Sequence, residues 1–463
     1  MVNKEENLME KIVSLCKRRG FVFPSCEIYG GLANAYDYGP VGVELKKNIS
    51  DAWWQYFVRS RSDVIGLDSS IILNPKVWEA SGHTQGFNDV LIDCKSCKLR
   101  TRADILIEEF SKNNGENLSV EGKNPEELNK IIQKNKISCP QCKKFDWTDV
   151  RKFNLLFETK IGIVEDAQSK VYLRGETAQG IFVSFKNILE STRVKLPFGV
   201  GQWGKAFRNE ITKGNFIFRT LEFELAEIEY FFDPEKTDWK KLFDNWKNQM
   251  WKFATEILGV KKENLRWRIH SDEERSFYSK RTEDLEYNFP FGFKELWGLA
   301  YRTDYDLKQH IKHSGEELVY IDPQTNKKIV PHVIEPAVGI NRLMAMVLLD
   351  SYREEEDRTY LSLPAKLAPY KVAVFPLLAN KPQLVDRAQE VYQTLQKYFT
   401  AAWDDRGNIG KRYLSQDEIG TPYCITIDFD SLEDNSVTVR DRDTKKQERI
   451  KIDNLLQYFA DKI

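Results

Sequence analysis

No stretch of this chain matches GxxxxGK[ST], the glycine-rich loop that cradles phosphate on backbone amides; Gly199-Val-Gly-Gln-Trp-Gly204 has the GxGxxG spacing but lies in a strand-rich stretch with no helix start after it. Any recognition of phosphate must therefore come from arginine side chains. Long apolar runs are missing too; none approaches the ~20 residues of a membrane span. Net charge is nearly absent at −1, which argues against indiscriminate nucleic-acid binding but allows a local basic patch. Histidine is scarce. His83, His270, His310, His313 and His332 show no ligand spacing beyond the i, i+3 pair His310 and His313, which is more often coincidence than a site. No Ser–His–Asp grouping and no internal repeat stands out. The first residues, from Met1 to Leu8, are acidic and polar, unlike a signal or transit peptide, so a cytoplasmic protein is expected.

Cysteine is sparse, but it is not scattered. Cys94-Lys-Ser-Cys97 and Cys139-Pro-Gln-Cys142 form two pairs, leaving Cys16, Cys26 and Cys424 apart. A long chain without a secretion signal is not expected to rest on disulfides. Two CxxC units instead present four thiolates for tetrahedral zinc with a structural role. The stretch between them is longer than in a compact ribbon. The competing reading is four unrelated thiols or a redox pair.

The most informative residues are Phe207-Arg208-Asn209-Glu210, followed by Arg219-Thr220-Leu221-Glu222-Phe223. Two guanidinium groups on adjoining strands can hold a polyphosphate by charge-assisted hydrogen bonds. Glu210 shares the face of Arg208 and can accept from a base amino group, while Phe223 offers a stacking plane. The bland alternative is surface pairing with nearby glutamates.

This stretch resembles the second signature motif of class II aminoacyl-tRNA synthetases. Tyr172-Leu-Arg-Gly-Glu-Thr-Ala-Gln-Gly180 and Glu335-Pro-Ala-Val-Gly-Ile-Asn-Arg342 look like those of the homodimeric glycyl-tRNA synthetases. Ile28-Tyr-Gly-Gly-Leu32, Asp37-Tyr-Gly-Pro40 and Asn74-Pro-Lys-Val-Trp-Glu-Ala-Ser-Gly-His83 fit the same family. The resemblance covers nearly the whole chain. It implies glycine activation with ATP, transfer to tRNA(Gly), and a homodimer. It puts Arg208 on the α-phosphate, Glu210 on the adenine amino group, Arg219 toward the γ-phosphate, Phe223 on adenine, and Arg342 over the opposite face of the base. It extends the ATP site to Asn209, Phe218, Thr220, Leu221, Glu222, Leu296 and Gly339. Lys294-Glu-Leu-Trp-Gly298 matches an acidic segment, making Glu295 the first Mg2+ candidate and Glu335 the second. A simpler partner for Glu295 would be Arg302.

Glycine has no side chain to grip, so carboxylates must hold its ammonium. Glu176, Glu224, Glu227 and Glu335 match family positions around the substrate, as do Arg102, Phe223, Ala337 and Gly339; Arg174 and Gln179 are further candidates. Two departures stand out: Gly175 where the family has proline, and Ala337 where it has serine. Neither removes a charge.

An α+β chain is expected, with a synthetase antiparallel sheet flanked by helices over residues 1–93 and 151–362. A zinc-ribbon-like insertion would cover 94–150 and an α/β anticodon-binding domain 363–463. Residues 41–58 read as an amphipathic helix, feeding a strand over Val64–Leu73 that resembles the family's dimer-forming motif. Residues 111–136 read as a solvent-facing helical insertion and 153–232 as strand-rich. In the last domain, 382–398 and 450–461 read as helices, and Lys371–Leu378, Tyr423–Phe429 and Ser436–Arg440 as strands. Two rival functions remain: a class II ligase for another amino acid, and a catalytically silent nucleic-acid-binding relative. The Glu-Thr-Ala-Gln-Gly and Tyr-Gly-Gly-Leu runs argue against the first, and retention of all the arginines against the second.

Overall fold

The alternation of side chains along one strand organises the larger part of the molecule. In the computed structural model, which describes residues 4–463 except 117, 121, 163–168, 212–214, 273 and 276–277, that strand is Glu222–Phe232. Ala226, Ile228, Tyr230 and Phe232 point to one face and enter the main hydrophobic core. Phe223, Leu225, Glu227 and Glu229 point to the other, because successive strand residues alternate.

In chain order the sheet comprises β1 (Val64–Gly66), β2 (Phe198–Phe207), β3 (Glu222–Phe232), β4 (Leu265–Ile269), β5 (Arg281–Phe289), β6 (Gly292–Thr303) and β7 (His332–Gly339). Its spatial order is β4-β5-β6-β7-β3-β2-β1, antiparallel apart from the β2–β1 edge. The apolar face is covered by α1 (Pro40–Trp54), α3 (Trp239–Lys252) and α5 (Ile340–Ser351). Val41, Leu45, Ile49 and Trp53 of α1 are buried at a four-residue spacing, which puts them in one stripe. On the polar face, α2 (Ala178–Val183) covers one end, packing against Phe198, Val200, Phe231 and Val333. The middle of that face stays polar. Among the described residues, no helix is long and apolar enough to cross a membrane.

The insertion is a three-stranded sheet with Asn88–Asp93 between Arg100–Arg102 and Arg151–Asn154, plus helices Ala103–Asn114 and Pro125–Lys134. Asn124 and Glu127 close a capping box on the second helix. Its root lies earlier than the first cysteine, since pairing already begins at Asn88 opposite Asn154. The C-terminal unit has Val372–Pro376 at the centre of a parallel trio with Ala401–Trp403 and Tyr423–Ile427, extended antiparallel by Ser436–Asp441 and Gln447–Lys451. Leu363, Leu367 and Ala368 still pack in the large core, and the second core starts at Val372.

Several local expectations change. Val64–Leu73 is two short strands in different sheets. Ser69 between them gives its carbonyl to Arg174 at 2.7 Å and its hydroxyl to Gln202 at 3.0 Å, which turns the chain away. The 450–461 segment is not one helix: its start completes the edge strand Gln447–Lys451, and the helix is Leu455–Ala460. Phe429 leaves the preceding strand to open helix Phe429–Asp434, capped by Asp428. Part of the loop joining β2 to β3, residues 212–214, lies outside the described residues, as do 117 and 121 of the insertion and 163–168 of the strand-rich stretch.

Candidate active site

The β2–β3 register sets Ala206 opposite Phe223 and Gln202 opposite Glu227, so one groove runs along the polar face. At its open end the chain leaves β2 through Arg208. The Arg208 Nε donates to the Gly175 carbonyl at 3.1 Å, and its guanidinium lies 5.1 Å from the Phe87 ring and 5.3 Å from the Phe223 ring. Arg219 is 3.6 Å from Glu210. Arg342, in the first turn of α5, sits over Phe218 at 4.6 Å and 3.1 Å from the Glu295 carboxylate. These residues line one pocket with Thr220, Leu225, Glu227, Ala337 and Gly339. Burial holds the Arg219 guanidinium below its ordinary pKa, with Glu210 opposing and the charges of Arg342 and Arg102 adding. Arg342, with Arg208 and Arg219 behind it, holds the Glu295 carboxyl low. This end is short of negative charge and suits an anion.

The other end is the reverse. Glu176, Glu227, Glu229, Glu335 and Asp306 are all buried around Arg302, itself only 1% exposed. Arg302 takes Asp306 with two bonds of 2.8 Å and Glu335 with one of 2.8 Å, and stands 3.8 Å from Glu176. Glu227 accepts from the amides of Thr177 and Ala178, at the start of α2, at 2.7 and 2.9 Å, and from the Thr177 hydroxyl. Gln179 donates to Glu176 at 3.0 Å and Asp306 at 2.9 Å, and accepts from His310 at 2.8 Å.

One guanidinium cannot neutralise this cluster. Burial pushes Glu335 up to about 8, with Arg302 opposing and Glu227 and Glu176 adding. Glu227 and Glu229 are also raised, by burial first and then by neighbouring carboxylates. Burial would raise Glu176 as well, but His83 and Arg302 bring it below its ordinary value. A second cation, such as an ammonium, would relieve the repulsion.

Strand alternation corrects some of the expected site residues. Glu224 faces the helix side, held by Lys46 and by Trp203 Nε1 at 2.8 Å, and does not share the groove with Glu227. Glu222 is exposed and pairs with Lys205 on that same side. Leu296 is sealed in the core, so its side chain is out of reach of the pocket. Glu335 pairs with Arg302 at 2.8 Å at the acidic end, away from Arg208, Arg219 and Arg342, and is withdrawn as a candidate for a metal on the phosphates. Glu295 pairs with Arg342, not with Arg302.

Other candidates act through the backbone or from outside the pocket. Asn209 and Leu221 anchor the β2–β3 turn: Asn209 N–H donates to Leu155 at 2.8 Å, and Leu221 N–H to Asn34 at 3.0 Å. Arg102 belongs to the insertion, 3.0 Å from Asp89 and paired with Asp104, and its charge acts on Arg219 and Glu210 at the anion end. Arg174 is a buried strut for Ser69 and Lys205 carbonyls. A Cβ on Gly175 would lie 3.0 Å from Phe87, so the missing side chain gives room to that ring.

The sulfurs of Cys94, Cys97, Cys139 and Cys142 all lie within 4.8 Å of one another, with Cys94–Cys142 and Cys97–Cys139 at 3.6 Å. A zinc tetrahedron with bonds of about 2.3 Å needs sulfur separations of about 3.8 Å. In each knuckle the residue after the second cysteine, Lys98 or Lys143, has φ near +60° and donates its N–H to the first cysteine's carbonyl at 2.9 Å. The donor set and spacing fit zinc.

Comparison with known proteins is consistent along the chain. Residues 371–462 match the anticodon binding domain model, and residues 116–155 match glycyl-tRNA synthetase insertion domain 1. A glycine–tRNA ligase of Clostridium tetani is 54% identical over 465 residues, covering 99% of both chains. Those of Acetivibrio thermocellus and Caldanaerobacter subterraneus are 54% and 53% identical, each over 98% of both chains. The chain belongs to the glycine–tRNA ligase family.

For this glycine–tRNA ligase family member, sequence reasoning missed His83, Phe87, Asp306 and the central part played by Arg302. Arg302 and Asp306 stand four apart at the end of β6 and the start of helix α4 (Tyr305–Ser314), a spacing that favours an ion pair. His83 ends a run that fits the family and touches Trp78, Ser81 and Phe87 nearby, but nothing local signals Glu176 or Arg208, the remote partners of His83 and Phe87.

Proposed function

We propose that the chain activates glycine with ATP and transfers it to the 3′ end of tRNA(Gly). The glycine carboxylate attacks the α-phosphate, pyrophosphate leaves, and a terminal ribose hydroxyl of the tRNA then takes the glycyl group with release of AMP. The carrying observation is one pocket that runs from Arg208, Arg219 and Arg342 to Glu227, whose buried neighbours Glu176 and Glu335 add further carboxyls at that end. The first step must bring a polyphosphate and an ammonium-bearing carboxylate together. Arg208, Arg219 and Arg342 would hold the phosphates, and Phe218 and Phe223 supply planes for the base. Glu176, Glu227 and Glu335 would take the ammonium, with Ala337 and Gly339 forming the floor. No protein nucleophile is required.

Mg2+ fits Glu295, about half open to solvent (48%) beside the arginines. Bound there it would neutralise phosphate charge. Zinc held by the four cysteines would close the insertion, and a reducing cytoplasm would keep those thiols available. A homodimer is supported by the apolar loop around Ile28, Tyr29 and Leu32, exposed by 88%, 87% and 60%. The strong identity to glycine–tRNA ligases leaves no feature that favours another amino acid. ATP–pyrophosphate exchange with each amino acid in turn, then charging of tRNA(Gly), tests the reading. Exchange dependent on glycine alone is expected; exchange with a different amino acid, or none, would overturn it.

A further inference from the structure

The two steps above use no histidine, yet His83 is only 4% exposed at the acidic end of the groove. Its Nε2 lies 3.2 Å from Glu176 Oε2 and its Nδ1 2.8 Å from Ser81 Oγ. Trp78 and Phe87 each place a ring centroid 5.2 Å from the imidazole, and Asn154 Nδ2 donates to the His83 carbonyl at 3.1 Å. Ring and backbone are thus both fixed.

We propose that His83 is a positioning residue for the amino-acid substrate: its Nε2–H holds Glu176 Oε2 so that this buried carboxylate accepts the substrate ammonium. The proposal rests on the reading that the groove activates glycine. Glu176 Oε1 is already committed to Gln179, and Arg302 stands 3.8 Å away on that side. Without a donor on Oε2, the carboxylate has a choice between rotating toward Arg302 and taking up a proton. Either change removes an acceptor for the ammonium. Ser81 supports the ring in both protonation states. Its hydroxyl can donate to an unprotonated Nδ1, or turn to the Trp78 carbonyl at 3.4 Å and accept from a protonated one. Phe87, shared between His83 and Arg208, gives the same short segment a contact at each end of the groove.

Two substitutions separate positioning from packing. His83→Leu keeps an apolar filler between Trp78 and Phe87 but removes the donor. His83→Gln keeps an amide N–H near the Nε2 position. In glycine-dependent ATP–pyrophosphate exchange, the leucine variant is expected to raise the glycine KM about tenfold or more, the scale of a lost charge-assisted hydrogen bond. The ATP KM should move by less than about twofold, and the glutamine variant should restore the glycine KM to within about threefold. A normal glycine KM in His83→Leu overturns the proposal. So does equal damage in both variants, or an ATP KM that rises in step. Ser81→Ala, which leaves ring and packing in place, should raise the glycine KM more mildly; if neither histidine variant folds, an unchanged KM there overturns the idea. Wild-type protein that fails to activate glycine would instead overturn the functional reading, visible before any variant is made.

Discussion

Arg208 is held between two aromatic rings and a backbone carbonyl, which fixes its guanidinium at the anion end of the groove. Such preorganised charge is worth about 3 kcal/mol or more where charge develops in a transition state. Arg208→Ala is therefore expected to cut glycine-dependent exchange about a hundredfold with little change in the melting curve. A variant retaining half of wild-type exchange would remove Arg208 from the mechanism.

Glu335 gives a pH signature. Its folded pKa of about 8 stands above the ordinary carboxylate value, so the folded protein binds the extra proton. The associated stability is present below the unfolded value, near 4.5, and is lost as pH rises through about 8. An arriving ammonium favours the ionised form, so glycine binding near neutral pH should release protons. Calorimetry in buffers of different ionisation enthalpy reads this directly; binding heats that do not depend on the buffer would mean Glu335 is already ionised. At Ala337, which lines the pocket opposite Glu227, a hydroxyl oxygen would accept one charge-assisted hydrogen bond from the ammonium. Ala337→Ser should lower the glycine KM about tenfold or more at constant kcat, with alanine still rejected. An unchanged or higher KM would mean that residue 337 does not face the amine.

At the scale of elements, the two knuckles matter because Cys94 and Cys139 are part of the insertion's own small core, beside Ile92, Ile132 and Trp147. Metal there would be folding energy for the insertion, whose root carries Arg102 and Asp89 toward Glu210 and Arg219. Protein purified without chelator should hold about one zinc per chain with sulfur-only ligation, and Cys139→Ser should lose it and show an earlier melting transition. A metal-free, fully stable and active preparation would make the site vestigial. Strand β3 carries the second lesson at this scale. Its odd-numbered residues from Phe223 to Glu229 build the groove, and its even-numbered ones build the core and the Lys46 contact.

The whole molecule depends on how the C-terminal unit is held. Asp417, fully buried in helix Ile409–Ile419, takes Arg440 of its own unit with bonds of 2.8 and 3.0 Å. It also takes Arg358 at 3.0 Å, from the hairpin that closes the synthetase sheet domain. Next to it, Glu418 pairs with Arg18 at 2.9 Å and with Arg19, both from the helix Lys4–Arg19. On the function proposed above, pyrophosphate exchange would need only the larger part, whereas charging would need both parts in register on one tRNA. Arg358→Ala should leave exchange within about twofold yet lower tRNA charging about tenfold, since small misplacements are costly in rate. Equal loss in both assays would show that the junction supports only the fold.

The alternation expected for Arg208 and Glu210 does not hold, since both lie past the end of β2 and the Glu210 N–H turns back to the Arg208 carbonyl at 2.7 Å. By itself, the sequence determined most of the sheet-forming and helix-forming stretches and the paired cysteines. Those features are local: period, spacing and residue type are enough to read them. It also carried the family resemblance, because several short runs recur in one order. What only the tertiary structure decided is which acids meet which cations. Glu224 and Glu227 differ by three positions and read alike in sequence, yet one is bound by Lys46 on the helix side and the other by the amides of Thr177 and Ala178. Glu295 could have paired with Arg302 or Arg342, and the turn of α5 against the sheet chose Arg342. His83 acquires meaning only when Glu176, far along the chain, is folded against it. Burial, which sets the charge of Glu335 and Glu229, belongs to the packed molecule, since it depends on neighbours brought in from remote strands.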